Sequence, residues 1–288
     1  MENKFWYGLL ILVLIGCMGC SQKVEPVTQI VAKVDSGAMM IGGSGSNIAL
    51  TRRLAAEYAR QSGLKIEIPG SIGTSGAVKA TQAGAVLLGL TSRALTSAEK
   101  AQGLKQIHYA SVGLAVAVNS SVPDTEIDRQ SLVQIYMEEK TTWNNGANII
   151  PLSMFEGDST NLVLQTEVPG FAAALQNILG RKNWQIIYSE GLMLEDLAKT
   201  PNSIGFIDSV ALADSQGKIR AMKLNGVEMN AESLQTNRYP LKKELYFIYK
   251  DPIATSAKAF IDFCFSDSGR QIILSSGAAL PQASEDKQ

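Results

Sequence analysis

The chain has 288 residues and nearly balanced charge, with 26 Lys plus Arg against 27 Asp plus Glu and a pI near 6.0. This balance argues against a nucleic-acid-binding protein, which normally carries a strongly basic domain. Hydrophobic residues make up 45% of the chain and charged residues 18%, a composition that excludes intrinsic disorder for its bulk. The length suits one large domain or two modest ones.

Residues 1–16 are predicted to be a bacterial signal peptide. Their apolar run, from Phe5 to Ile15, is too short to cross a bilayer as a helix, since that takes about 20 residues. The four residues Leu14-Ile15-Gly16-Cys17 look like a lipobox, in which Cys17 is lipidated. Cys20 is the alternative lipidation site. Residues 17–35 are then the lipidated N-terminus and a linker, and the acyl chains hold the protein on the outer side of a bacterial membrane.

The sequence offers little material for catalysis or for a metal site. A Ser-His-Asp enzyme would have to use His108, the single histidine, which falls in the predicted strand Gln106–Val112. There is no HExxH motif and no CxxC pair beyond the lipobox. We therefore predict a protein that is not an enzyme, with no cofactor and no metal; a phosphohydrolase is the alternative.

Strands and helices alternate along the chain. The predicted elements are, in order, a strand at Ala38–Gly42, a helix ending at Gly63, a strand at Lys65–Ile68, a helix through Ala83, a strand at Ala85–Leu90, a capped helix start at Thr96–Glu99, and a buried strand at Val112–Val118. This alternation predicts an α/β architecture with mostly parallel sheets.

Small polar residues gather where a predicted strand passes into a helix or ends in a loop. The four segments are Ser44-Gly45-Ser46, Gly73-Thr74-Ser75-Gly76, Thr91-Ser92-Arg93 and Gly157-Asp158-Ser159-Thr160-Asn161. A helix N-terminus presents unpaired N–H groups and partial positive charge, which suits an anion. Each segment alone also reads as an ordinary helix cap. None matches the nucleotide-binding patterns GxxxxGK[ST] or GxGxxG.

Three of these segments, in their wider context, resemble the phosphate-binding lipoproteins of bacterial ABC transporters. The most specific match is the run Pro69-Gly70-Ser71-Ile72-Gly73-Thr74-Ser75-Gly76-Ala77-Val78-Lys79-Ala80, supported by Ile41–Ser46 and Leu90–Thr96. Further matches include Ser203-Ile204-Gly205-Phe206 and Tyr239-Pro240-Leu241. The resemblance covers nearly all of the chain after the linker.

The resemblance implies a type II periplasmic-binding-protein-like fold of two α/β lobes with the ligand between them. Lobe I would comprise residues 36–113 and 248–284, and lobe II residues 114–247. Crossing strands near Leu114–Asn119 and Leu245–Tyr249 would join them. The implied protein is a monomer whose partners are phosphate or a related oxyanion, the membrane through its lipid anchor, and an ABC permease.

The resemblance also implies a set of phosphate-binding residues. They are Gly45, Ser46, Asn47, Thr74, Ser75, Gly76, Ser92, Arg93, Asp158, Ser159 and Thr160. Lobe I would supply most of the donors, and Ser159 and Thr160 would close over the ligand from lobe II.

The chain departs from this family in the loop before Ser159. The family usually reads Arg-x-x-Gly-Ser-Gly-Thr, whereas this chain has Met154 in place of the Arg and Asp158 in place of a Ser. Some members carry an acidic residue where this chain has Arg93. We therefore predict exchanged roles, in which Arg93 holds the anion bidentately and Asp158 accepts the ligand's proton.

Lys242 and Lys243 are expected on a solvated strand edge. The alternative is that they face the cleft.

The sequence as a whole predicts a lipid-anchored, extracytoplasmic protein that captures inorganic phosphate for an ABC importer. The alternatives are a binding protein or sensor for another oxyanion or for a phosphate ester, and a lipoprotein of the same fold without a role in transport.

Overall fold

A computed structural model of the chain describes residues 37–181 and 184–281. The predicted signal peptide, the linker before residue 37 and both candidate lipidation sites, Cys17 and Cys20, lie outside the described residues. No helix in the described ranges is long and apolar enough to cross a membrane.

The first third of the described chain alternates as predicted. Its elements are β1 (Met39–Gly43), α1 (Gly45–Ser62), β2 (Ile66–Glu67), α2 (Gly73–Gln82), β3 (Leu88–Thr91) and α3 (Ser97–Ala101). Gly63 ends α1 in the left-handed conformation, at φ 71°, which glycine adopts without steric cost. Thr96 and Glu99 form the predicted capping box of α3.

One long strand replaces the two that the sequence suggested around residue 112. β4 runs without interruption from Leu104 to Asn119. The remaining elements are β5 (Glu126–Ile127), α4 (Arg129–Tyr136), β6 (Ile150–Pro151), β7 (Ser153–Met154), α5 (Ser159–Glu167), α6 (Phe171–Leu179), β8 (Ile186–Ile187), α7 (Glu190–Lys199), β9 (Ser203–Asp208), α8 (Ser209–Ala213), β10 (Ile219–Ala221), β11 (Lys223–Leu224), α9 (Ala231–Gln235), β12 (Lys242–Lys250), α10 (Thr255–Cys264), α11 (Asp267–Ser275) and β13 (Ala278–Ala279).

The main sheet is mixed rather than mostly parallel. Its strand order is β2-β1-β3-β12-β4-β9-β6, with β10 and β13 also paired to β4. β1 is parallel to both β2 and β3, whereas β12 is antiparallel to both β3 and β4. The prediction of mostly parallel pairing was wrong for β12 with β3 and β4. An apolar run in the sequence indicates that a strand is buried, but it does not indicate the direction of the neighbouring strand.

Two large buried clusters form the core, and β4 contributes to both. Its earlier half supplies Tyr109 and Val112 to a cluster that also includes Phe247 and Phe260. Its later half supplies Leu114 and Val116 to the other cluster. This arrangement gives the two-lobe α/β fold that the sequence predicted, while the exact lobe boundaries stay a prediction.

Candidate functional site

A cleft of about 900 Å³ lies where the N-terminal ends of α1, α2 and α5 converge. Most of the predicted phosphate-binding residues line it: Gly45, Ser46, Thr74, Ser75, Arg93, Asp158, Ser159 and Thr160. The structure thus brings together segments that are far apart in sequence. Asn47, Gly76 and Ser92 lie outside the lining of this cleft.

Two of the helices begin at the cleft without a side-chain cap. The residues before α1 and α2 are Ser44 and Ile72, and neither makes a side-chain capping hydrogen bond. Backbone N–H groups in the first turn of a helix have no partner within the helix, and they carry partial positive charge. The Asn47 N–H donates to the Ser44 carbonyl at 3.1 Å and the Gly73 N–H to Ser71 Oγ at 3.3 Å. The other N–H groups of these two first turns can donate hydrogen bonds to an anion in the cleft.

The third helix start is already capped, by Asp158. Its carboxylate accepts a hydrogen bond from the Thr160 backbone N–H at 2.7 Å, an ordinary capping contact. Asp158 also lines the cleft. The structure thus gives this residue a structural contact in addition to the ligand contact that the sequence predicted.

Lys243 on β12 is a buried cation at the base of the cleft, which Arg52 and Arg93 also line. Its side chain is buried, with 2% exposed. The ammonium group donates to Ser46 Oγ and to Thr160 Oγ1, both at 2.9 Å. These hydroxyls lie in the first turns of α1 and α5 on opposite sides of the cleft, so one buried charge connects both walls.

The expectation of a solvated strand edge was wrong for Lys243. β12 pairs with β4 at Lys243 and with β3 further along, at Tyr246–Ile248, and its side chains alternate between the two faces of the sheet. Lys243 shares the buried face with Leu245 and Phe247, while Lys242 and Glu244 are partly exposed on the other face. The sequence contained a signal for this burial, because Lys243 alternates with Leu245 and Phe247 at the two-residue spacing of one strand face.

A buried acid lies beside this lysine. Asp208 lines the cleft and is 2% exposed. Its carboxylate caps α8 through the Ala211 N–H at 2.9 Å, and its own N–H donates to Glu190 Oε1 at 2.7 Å. Burial raises the pKa of Asp208 well above its usual range and the nearby Glu190 charge raises it further, while Lys243 opposes the shift.

Arg93 lines the cleft, but its guanidinium is engaged by another residue. Both of its terminal nitrogens donate to the Glu99 carboxylate at 2.8 Å. These hydrogen bonds lower the pKa of Glu99 to about 2. Arg93 would have to leave Glu99 to hold an anion with the bidentate geometry that the sequence predicted.

Asn47 and Ser92 belong to a buried hydrogen-bond network behind the cleft. Ser92 Oγ lies 2.6 Å from Ser44 Oγ and accepts from Asn47 Nδ2 at 3.0 Å. Tyr109 donates to Asn47 Oδ1 at 3.0 Å, and the Ser92 N–H donates to Thr74 Oγ1 at 3.3 Å. The network ties β3 to the starts of α1 and α2, so these residues position the donors.

His108 lies away from the cleft in a smaller cavity on the other side of β12. Its Nε2 contacts Glu244 at 2.7 Å and Ser111 Oγ at 3.2 Å. A catalytic triad needs the serine and the carboxylate on different ring nitrogens, whereas here both approach the same one. Among the described residues, no group of His, Cys, Asp and Glu is arranged to hold a metal ion.

A family model described as the PBP superfamily domain matches residues 31–268, and the cleft between two α/β lobes agrees with it. The chain belongs to the PBP (periplasmic-binding-protein-like) superfamily.

Within the PBP superfamily, similar proteins are described as phosphate-binding. Phosphate-binding protein PstS of Bacillus subtilis is 24% identical over 282 residues, which cover 95% of this chain and 90% of that protein. PstS of Borreliella burgdorferi is also 24% identical, over 66% of this chain and 71% of that protein. A crystal structure of a putative phosphate ABC transporter substrate-binding protein with bound phosphate, from Clostridium perfringens, shares 27% identity. It matches with a TM-score of 0.76, covering 85% of this chain and 100% of that one.

Proposed function

We propose that this protein captures inorganic phosphate outside the cytoplasm and delivers it to an ABC importer. The observation that carries the proposal is Lys243, a buried cation held between Ser46 and Thr160 at two helix starts. A buried ammonium group requires compensation; its hydrogen-bonded hydroxyls supply no negative charge, and the nearby Asp208 carboxyl group caps α8 instead of hydrogen-bonding to Lys243. A phosphate in the cleft would neutralise it.

The remaining donors suit a tetrahedral oxyanion. Ser46 and the uncapped starts of α1 and α2 would approach from one wall, and Ser159 and Thr160 from the other. Donors on opposite walls give the closed cleft more contacts to the ligand than the open one, so binding would favour closure. The lobes that move would be residues 36–113 with 248–284, and residues 114–247. Capture would involve no chemical step.

The proposal includes a lipid anchor. The lipobox-like sequence before Cys17, with Cys20 as the alternative, supports a lipoprotein whose signal peptide is residues 1–16. A monomer so anchored would present its cleft to the permease. The relatives described as phosphate-binding proteins, and the similar crystal structure that contains phosphate, support the same role.

Calorimetric titration of the purified full chain tests the ligand. We expect phosphate to bind at micromolar or lower concentration, and sulfate and molybdate at least 100-fold more weakly. Tighter binding of sulfate or molybdate than of phosphate would contradict the proposed function.

Replacing Asp158 with Asn tests the proposed proton acceptor. Asparagine keeps the side-chain oxygen that caps Thr160 N–H, but it removes the carboxylate that would accept a proton from hydrogen phosphate. We expect phosphate affinity to fall about tenfold and residual sulfate binding to stay equal or rise, measured by the same titration. Equal losses for both anions would contradict the role of Asp158 as the acceptor of the ligand's proton.

A further inference from the structure

The cleft has an apolar wall in addition to its anion-binding base. The wall begins deep in the cleft at Met154, which is 5% exposed, continues through Phe155, and ends at Tyr188, which is 71% exposed. All three side chains line the same cavity as Lys243. An inorganic phosphate held at the base would leave most of this wall without a ligand contact.

Backbone pairing fixes the geometry of the wall. β7 and β8 are parallel, with Met154 opposite Ile187, and the Phe155 N–H donates to the Ile187 carbonyl at 3.0 Å. The rings of Phe155 and Tyr188 stack with centroids 6.0 Å apart and planes 14° apart. This is a favourable arrangement for two aromatic rings. The wall is therefore formed before any ligand arrives.

The cavity is much larger than inorganic phosphate requires. Its volume is about 900 Å³, near the upper end of the range for pockets that hold drug-sized organic molecules. A ligand with an organic group beside the anion would fill more of this space and cover the exposed Tyr188 ring.

We propose that the cleft binds phosphate monoesters, with the phosphate at Lys243 and the organic group against the wall formed by Met154, Phe155 and Tyr188. The inference rests on the proposed phosphate site and names a broader class of ligand for it. Acidic residues (Asp158, Glu190) and basic residues (Arg52, Arg93) both line the cleft, so the apolar wall and not the charge of the lining defines the second part of the ligand. The organic group presents an apolar or aromatic face to that wall.

Titration of the purified full chain with inorganic phosphate, methyl phosphate and phenyl phosphate tests the inference. We expect phenyl phosphate to bind about tenfold more tightly than methyl phosphate, because the phenyl ring gains contact with the aromatic pair. Tyr188→Ala should remove that difference and change the affinity for inorganic phosphate less than twofold. Tyr188→Phe is the matched control, since it keeps the ring and should keep the preference.

The outcomes separate this inference from the proposed function. If inorganic phosphate binds tightly but phenyl phosphate binds no better than methyl phosphate, the ester site is wrong and the phosphate role stands. Equal weakening of phenyl phosphate and inorganic phosphate by Tyr188→Ala would also overturn the ester site. If phenyl phosphate binds and inorganic phosphate does not, the ester site stands and the proposed ligand is wrong. Absence of binding by all three would refute both.

Discussion

Replacing Lys243 with methionine is expected to weaken phosphate binding about 100-fold, equivalent to nearly 3 kcal/mol. The ammonium group is buried at the base of the cleft and lies between Ser46 and Thr160. Removing one partner of a buried, hydrogen-bonded charge pair typically costs 2–5 kcal/mol or more in binding. Methionine has a similar length and no charge, so the measured loss in a calorimetric titration reports mainly the charge.

Lys242→Met is the matched control. Lys242 is the adjacent residue on the same strand, but it lies on the other face and pairs with Glu244 at 2.8 Å. Its loss should change phosphate affinity less than twofold. If Lys243→Met binds phosphate as the unmodified protein does, Lys243 has no part in the site.

Thermal unfolding without ligand separates binding from folding. Burying an ammonium group that hydrogen-bonds to no carboxylate costs folding free energy, so Lys243→Met should unfold at the same temperature as the unmodified protein or higher. Added phosphate should raise the unfolding temperature of the unmodified protein but have much less effect on this variant.

Gly43→Ala is expected to destabilise the fold by about 3 kcal/mol and to weaken phosphate binding. An added Cβ at Gly43 would lie 2.1 Å from the Leu90 carbonyl oxygen. Gly43 pairs with Leu90 across β1 and β3, and the neighbouring Ser44 N–H donates to the same carbonyl at 2.8 Å. Relief of the clash requires the strands to separate, which would also displace the start of α1.

Gly42→Ala tests whether the effect is specific to this contact. An added Cβ at Gly42 would meet its nearest neighbour, Val86 Cγ1, at 3.4 Å, an ordinary van der Waals distance. Denaturant unfolding should show a loss below about 1 kcal/mol for this variant. Similar losses for both alanine variants would contradict the close-approach explanation and indicate a general need for glycine in β1.

Local sequence features were sufficient for the elements around the cleft. Gly63 ends α1 because glycine tolerates a positive φ, and the hydroxyl of Thr96 with the Glu99 carboxylate sets the start of α3. These predictions succeeded because helix capping and turn formation depend on residues a few positions apart. Ser46, Thr74 and Thr160 also line one cleft, as the resemblance to the family implied, and their contact with phosphate stays a prediction.

The pairing of distant side chains was harder to predict. The sequence suggested Arg93 as the bidentate anion ligand, yet Arg93 engages Glu99. Asn47 and Ser92 hydrogen-bond to each other, a pairing that the sequence did not indicate, and their contact with the ligand stays a prediction. A polar side chain near a helix start has several possible partners, and the choice depends on which groups the packed core places within reach.

The sequence alone thus determined the order of strands and helices from β1 to α3, the α/β class, and the helix starts that provide donors, because these follow from local backbone chemistry and hydrophobic periodicity. Only the tertiary structure decided that the starts of α1 and α5 meet over one face of β12, so that Lys243 is buried between Ser46 and Thr160 rather than exposed. It also placed Asp208 beside this lysine and stacked Phe155 on Tyr188. The physical reason is that burial and charge neutralisation depend on distances between residues that lie far apart in the chain.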